Sequence, residues 1–222
     1  MNTTNPLKVL VLGLILLQAC APTRVVKPLQ KGEQQVSVHL GGPLLKFGGA
    51  PIPMPLSSVA YARGLNDKTT AFGSLHTTAL LFGVIQTDIG ICRELYSHPA
   101  GFGISVNPVL NIAVDTWEGN KKLWPELSLN AYQSLYQKKL LLYAGSSTWF
   151  ELASKRAHGE TQPNRALFHA QLGLQYQRKK FSYTLEGKYL GMGLPTQPNV
   201  VDYIGLQNKG ALGIYLGLTR RF

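Results

Sequence analysis

Cysteine and acidic residues are scarce in this chain. Cys20 and Cys92 are its only cysteines, which excludes a disulfide-stapled scaffold; if Cys20 is engaged elsewhere, Cys92 has no partner at all. Charged residues make up 15% of the chain, against about a quarter in ordinary soluble domains. Lys and Arg number 22 against 11 Asp and Glu, and much of the basic excess sits in short polar stretches: Lys138–Lys139, Arg178–Lys180 and Arg220–Arg221. No helix gathers these cations into a stripe, so nucleic acid is not an expected partner; anionic phosphates or lipid head groups are. No His, Cys, Asp or Glu cluster has metal-ligand spacing, no Gly-rich turn opens a helix to cradle phosphate, and no cofactor is implied.

Long apolar runs are missing too. The uninterrupted stretch Val9–Leu17 (VLVLGLILL) is about half the ~20 residues of a membrane-spanning helix. With Lys8 before it and Gln18-Ala19-Cys20 after it, it has the charged, apolar and small-residue regions of a secretory signal. Leu17-Gln18-Ala19-Cys20 resembles the bacterial lipobox, with the bulkier Gln18 as a departure. That resemblance implies cleavage before Cys20, diacylation of its sulfur and attachment to a bacterial outer membrane. The expected organisation is a signal peptide over 1–19, a lipidated N-terminus and tether over 20–32, and one β domain over 33–222.

Helical periodicity never takes hold for long; period-two alternation does. In Leu167–Gln177, Phe168, Ala170, Leu172, Leu174 and Tyr176 face one way and His169, Gln171, Gly173, Gln175 and Gln177 the other. The next strand repeats the device, with Phe181, Tyr183, Leu185 and Tyr189 opposite Ser182, Thr184, Glu186 and Lys188. A third puts Leu212, Ile214, Leu216, Leu218 and Phe222 on one side. Weaker alternation predicts strands near 33–42, 55–64, 69–78, 82–91, 103–115, 126–136 and 139–152. The sum is an all-β, antiparallel up-and-down barrel of about ten strands, or eight if 69–91 is one bent hairpin. Gly41–Pro55, Trp117–Pro125, Ser154–Arg165 and Leu194–Lys209 read as loops.

Alternation alone does not say which face is inside. An inward apolar face would give a lipocalin-like soluble barrel on a lipid tether, binding an apolar ligand. Four features point to the outward alternative, a transmembrane barrel. Aromatics bracket the apolar faces, as Phe168 and Tyr176 do around Leu172. Short connections fall on one side and long ones on the other, except that Cys92–Gly101 is long on the short side and 79–81 short on the long side. The opposite face carries charges such as Glu186 and Lys188 that a dry core would not tolerate unpaired. The chain also ends at Phe222 after apolar Ile214, Leu216 and Leu218, which resembles the C-terminal signal read by the outer-membrane barrel-assembly machinery, with Arg220 as a departure.

For chemistry, His76 with Ser74 and Thr78 on one strand face, and Asp88 as orienter from the next strand, are the candidate catalytic residues. Small outer-membrane barrels resembling lipid A deacylases and palmitoyltransferases carry His and Ser near the outer rim, and that resemblance would imply lipid remodelling. Polar filling of a barrel interior accounts for the same residues, and for His169. His39 and His98 show no companions, His158 with Glu160 falls in a basic loop, and Cys92 reads as a buried or turn cysteine. Bulky inward side chains (His169, Gln171, Gln175, Lys188, Tyr215) predict a plugged lumen rather than a general pore. The expected role is therefore structural or binding: an envelope barrel with an acyl anchor, and a lipid-like or anionic ligand as partner.

Overall fold

The computed structural model describes residues 22–154, 161–196 and 202–222. Eleven strands run in chain order: β1 (Gln34–Phe47), β2 (Ala50–Pro53), β3 (Ser57–Asn66), β4 (Thr69–Leu75), β5 (Val84–Ser97), β6 (Phe102–Asp115), β7 (Lys121–Leu135), β8 (Leu140–Phe150), β9 (Ala166–Arg178), β10 (Phe181–Pro195) and β11 (Lys209–Arg221). A one-turn helix, α1 (Thr77–Leu81), lies between β4 and β5. Every barrel neighbour is antiparallel and sequential, and β1 pairs with β11 from Gln35↔Arg221 to Pro43↔Gly213, closing the sheet. β2 pairs only with the far end of β1, so the wall has ten strands. The eight-strand alternative is excluded because β4 and β5 each pair with different outer neighbours, β3 and β6.

The faces divide as outward alternation requires. Val36, Val38 and Leu40 are exposed on β1 while Gln35, Ser37 and His39 are buried. On β9, Leu172 is 69% exposed and its neighbour Gln171 only 4%. A belt of exposed Val, Leu and Ile on every wall strand but β6, where they are half-buried, far exceeds the few hundred Å² of contiguous apolar surface that soluble monomers tolerate; it suits lipid. Exposed aromatics rim the belt: Tyr61, Tyr96, Phe102, Tyr176, Phe181 and Phe222 near one end, Phe150 and Phe168 near the other. The lipocalin-like alternative is thereby corrected: its apolar face would have to point inward.

Connections at the two ends differ in length. β3–β4, β5–β6, β7–β8 and β9–β10 are joined by two to four residues, whereas the opposite end carries α1, the β1–β2 extension and the longer loops. Cys92–Gly101, expected as a long connection, is largely strand, because β5 continues to Ser97. The supposed short link at 79–81 lies in α1. Two other predicted loops are shorter than expected: β1 runs on into 41–55 with β2, and β7 starts at Lys121. Pro and Gly had marked these stretches as irregular, but at a barrel rim they interrupt strands without ending them.

Candidate lumen site

Of the segment 20–32, expected as a tether, the described residues 22–29 instead lie inside the barrel. The segment enters at the short-turn end, where the Gly32 N–H donates to the Gly64 carbonyl and the Gly64 N–H to that of Glu33 (both 2.9 Å). Gly64 faces inward with no side chain, and any Cβ there would collide with the Gln30 and Leu29 carbonyls. From this point the segment climbs the lumen with Leu29, Val26, Val25 and Arg24 all at or below 9% exposure. Val25 and Leu29 pack on Ala62, Phe72 and Cys92, and Val26 packs on Tyr132 and Tyr143.

The wall binds this segment through its backbone. The Leu29 N–H donates to Thr70 Oγ1 (2.7 Å), Ser105 Oγ donates to the Val26 carbonyl (2.6 Å), Asn107 Nδ2 to the Val25 carbonyl (2.6 Å), and the Thr23 N–H donates to Glu186 Oε1 (3.0 Å). Cys92, free and fully buried, points its thiol at the same Val26 carbonyl, 3.6 Å away. Its inward position on β5 makes it part of the lumen lining rather than a nucleophile in an electropositive site.

Arg24 is the centre of the polar network. Its guanidinium donates to Asp88 Oδ2 (2.8 Å), to Ser58 Oγ (2.7 Å) and to His39 Nδ1 (3.2 Å), and lies 3.3 Å from His76 Nε2. Asp88 Oδ2 also accepts from Ser74 Oγ and lies 3.0 Å from His76 Nε2. Because a guanidinium only donates and a carboxylate only accepts, His76 Nε2 serves one of them at a time. His76 and Asp88, the candidate base and orienter that spacing alone could not place together, are thus 3.0 Å apart. The strand, however, ends at Leu75, so His76 precedes α1, and Thr78 turns away to take the Ser57 N–H (2.8 Å). Ser74 bonds to the carboxylate rather than to the imidazole, and Arg24 takes the same carboxylate oxygen. The arrangement joins four strands to the inserted segment.

A second anchor lies across the lumen. Tyr143 donates its hydroxyl to Glu186 Oε2 (2.6 Å), and Lys188 Nζ is 3.7 Å from Glu186 Oε1. Tyr143 lies flat over Gly173, where a Cβ would penetrate the ring, so the glycine is what allows the hydroxyl to reach Glu186. Gly173→Ala is expected to displace the ring and lower stability by about 1–3 kcal/mol, read as a fall in the urea midpoint. An unchanged midpoint would show that Tyr143 is not held by this contact.

Above the segment, at the long-loop end, Ala79, Val84, Ala113, Trp124, Trp149 and Leu190 form a buried apolar layer across the lumen. His169 packs against Trp149, the rings tilted by 46° with centroids 4.0 Å apart, and takes the Gly191 N–H on Nδ1 (3.0 Å). Below, a cavity of about 260 Å³ follows the segment from the short-turn mouth, lined by Lys27, Lys138, Gln177, Arg221, His39 and Tyr143 among others. Burial, with Lys138 adding to it, pushes the Lys27 ammonium below its usual range.

His39, read as solitary in sequence, is therefore an Arg24 ligand, and Glu186, Ser58 and Asn107 are site residues that sequence reasoning missed. Phe222 is 63% exposed on the lipid-type face, its ring beneath the Arg220 guanidinium at 4.9 Å. Cys20, His158 and Glu160 lie outside the described residues.

A closed, polar-filled barrel with an apolar exterior is the fold of the outer-membrane β-barrel proteins. Among solved structures the chain is similar to the COG4313 outer membrane channel from Pseudomonas putida F1, at 9% identity over 91% of this chain and 100% of that one, with a TM-score of 0.52. It also matches the translocator domain of the autotransporter NalP from Neisseria meningitidis, at 13% identity over 87% and 90% of the two chains, with a TM-score of 0.44. At such identities the likeness is one of fold. The sequence matches no protein-family model and no curated protein.

Proposed function

We propose that this protein is a closed barrel of the bacterial outer membrane, anchored a second time through acyl chains on Cys20, with a structural or ligand-binding role. The observation that carries the reading is the filled lumen. The segment from Thr23 to Leu29 occupies its lower part, and the Trp124–Trp149 layer crosses its upper part. A barrel of this width has little room for more than side chains, and here those side chains bond to one another. The short-turn end is assigned to the periplasm, where Lys138, Lys139, Arg178–Lys180 and Arg220 would meet anionic head groups. Phe222 would serve as the assembly signal. The Ser74–His76–Asp88 cluster supports a structural role, since Ser74 and His76 both bond to the Asp88 carboxylate, which also takes Arg24 when the segment is seated.

The lipobox supports the anchor, and the anchor has a geometric consequence. Pro22 lies in the lumen against Asp88, Asn107 and Lys188, and two residues of extended chain reach at most ~7 Å. Acyl chains on Cys20 in the periplasmic leaflet and Thr23–Val26 in their seats therefore exclude one another. Acylation draws the segment down and leaves the Trp124–Trp149 layer in place. Purified protein in planar bilayers, acylated or not, is expected to pass no steady ion current. Stable ohmic steps of porin size would overturn the closed-barrel reading.

A further inference from the structure

We propose that the lower lumen is a binding site for an extended, arginine-bearing peptide, and that the chain's own Thr23–Leu29 is its resident occupant. The proposal rests on the reading of Cys20 as an acylated anchor, because acylation is what empties the site. Three independent features of the wall define the ligand. Four wall side chains (Thr70, Ser105, Asn107 and Glu186) bond to backbone groups of the occupant, which is recognition of a peptide main chain rather than of one particular sequence. Asp88, Ser58 and His39 enclose a guanidinium, and the planar donor fork of arginine fits such a seat where a lysine ammonium does not. Asp88 is 2% exposed and its Oδ1 has no hydrogen-bond partner even with Arg24 bound, so the seat keeps accepting capacity for a more deeply placed guanidinium.

Charge agrees with this. Asp88, Glu94, Glu126 and Glu186 face the lumen from β5, β7 and β10, against Lys188 at the same depth and Lys138 and Arg221 nearer the mouth. The occupant supplies Arg24 and Lys27. Between Arg24 and Leu29, apolar Val25, Val26 and Leu29 fill the spaces beside Phe72, Cys92, Tyr132 and Tyr143. A ligand of this site is therefore a strand-like peptide with arginine followed by small apolar residues. It would enter from the periplasmic mouth along the path the cavity already marks.

The test uses a fluorescein-labelled synthetic peptide with the sequence of residues 21–31 (APTRVVKPLQK), titrated by anisotropy against the purified acylated protein in detergent. Saturable binding is expected. It should weaken on the order of tenfold or more when the peptide arginine is replaced by alanine, or when the protein carries Asp88→Asn, because each removes hydrogen bonds to a charged group. Heat-modifiable migration checks that the variant barrel is folded. The unacylated Cys20→Ala protein, whose own segment fills the site, should bind at least tenfold more weakly than the acylated form. Binding that ignores both arginine and Asp88 would overturn the proposal, as would displacement by spermidine as readily as by unlabelled peptide. If mass spectrometry shows Cys20 to be unacylated, the anchor reading fails on its own. The site is then judged with Arg24→Ala protein, whose loosened segment should admit the peptide; no binding there overturns the site.

Discussion

Leu172→Arg is expected to cost about 2–4 kcal/mol of folding stability in lipid vesicles, the penalty for a cation near the midplane of a membrane barrel. Leu172 lies mid-strand on β9, 69% exposed, between Phe168 and Tyr176 on the same face. In a soluble protein an exposed leucine so placed would tolerate arginine within about 0.5 kcal/mol. The same substitution thus has two very different outcomes, and the sign of the wall decides between them. Urea titration of the vesicle-inserted protein measures it directly. A midpoint unchanged by Leu172→Arg would mean that this face does not meet hydrocarbon.

Separating Arg24 from Asp88 should be comparably severe in the unacylated protein. Both side chains are nearly inaccessible, at 4% and 3%, and their closest atoms are 2.8 Å apart. Removing one partner of a buried pair typically costs about 3–5 kcal/mol, mostly because the other charge is left unpaired. Arg24→Ala alone should therefore lower the urea midpoint strongly and open the segment to protease near Lys27 and Lys31. Arg24→Ala with Asp88→Ala should recover much of the loss, since the stranded carboxylate is gone. A double variant as unstable as the sum of the singles would show that the two residues do not act as a pair.

The wall was legible in the sequence and its contents were not, for a physical reason. Period two reports the difference between two solvents on either side of a strand, and lipid against a polar lumen is a strong difference. Leu167–Gln177 and Phe181–Tyr189 therefore read clearly, and the segments near 55–64, 69–78 and 139–152 locate β3, β4 and β8 to within a few residues. Ends were harder to place. β4 stops at Leu75 because α1 begins two residues later, and β5 runs past Cys92 to Ser97. No Gly or Pro stands in the four residues after Leu75 to mark the first boundary, whereas Pro99 and Gly101 stand just beyond the second.

The inserted segment has no period at all. Its partners are dispersed over the wall, with Arg24 and Asp88 64 positions apart and Thr23 and Glu186 163 apart. Two prolines and scattered polar residues gave it the composition of a linker. The overlooked signal was the apolar pair Val25–Val26 beside a lone arginine, which is unusual for a stretch that only spans solvent. The β4–β5 register puts Asp88 level with Ser74, and His76, just beyond the end of β4, reaches the same carboxylate. Arg24 could not be added to them, since no local pattern ties an N-terminal arm to β5.

The central claim is that the β domain itself spans the bilayer, and membrane extraction of the protein without its anchor tests it most directly. Cys20→Ala placed behind a conventional cleavage site removes the acyl chains and leaves the wall intact. The expected result is a protein that stays with the membrane through carbonate and is released only by detergent. Release into the soluble periplasmic fraction would contradict the account, because a belt of exposed leucines, isoleucines and valines would then have to be stable in water.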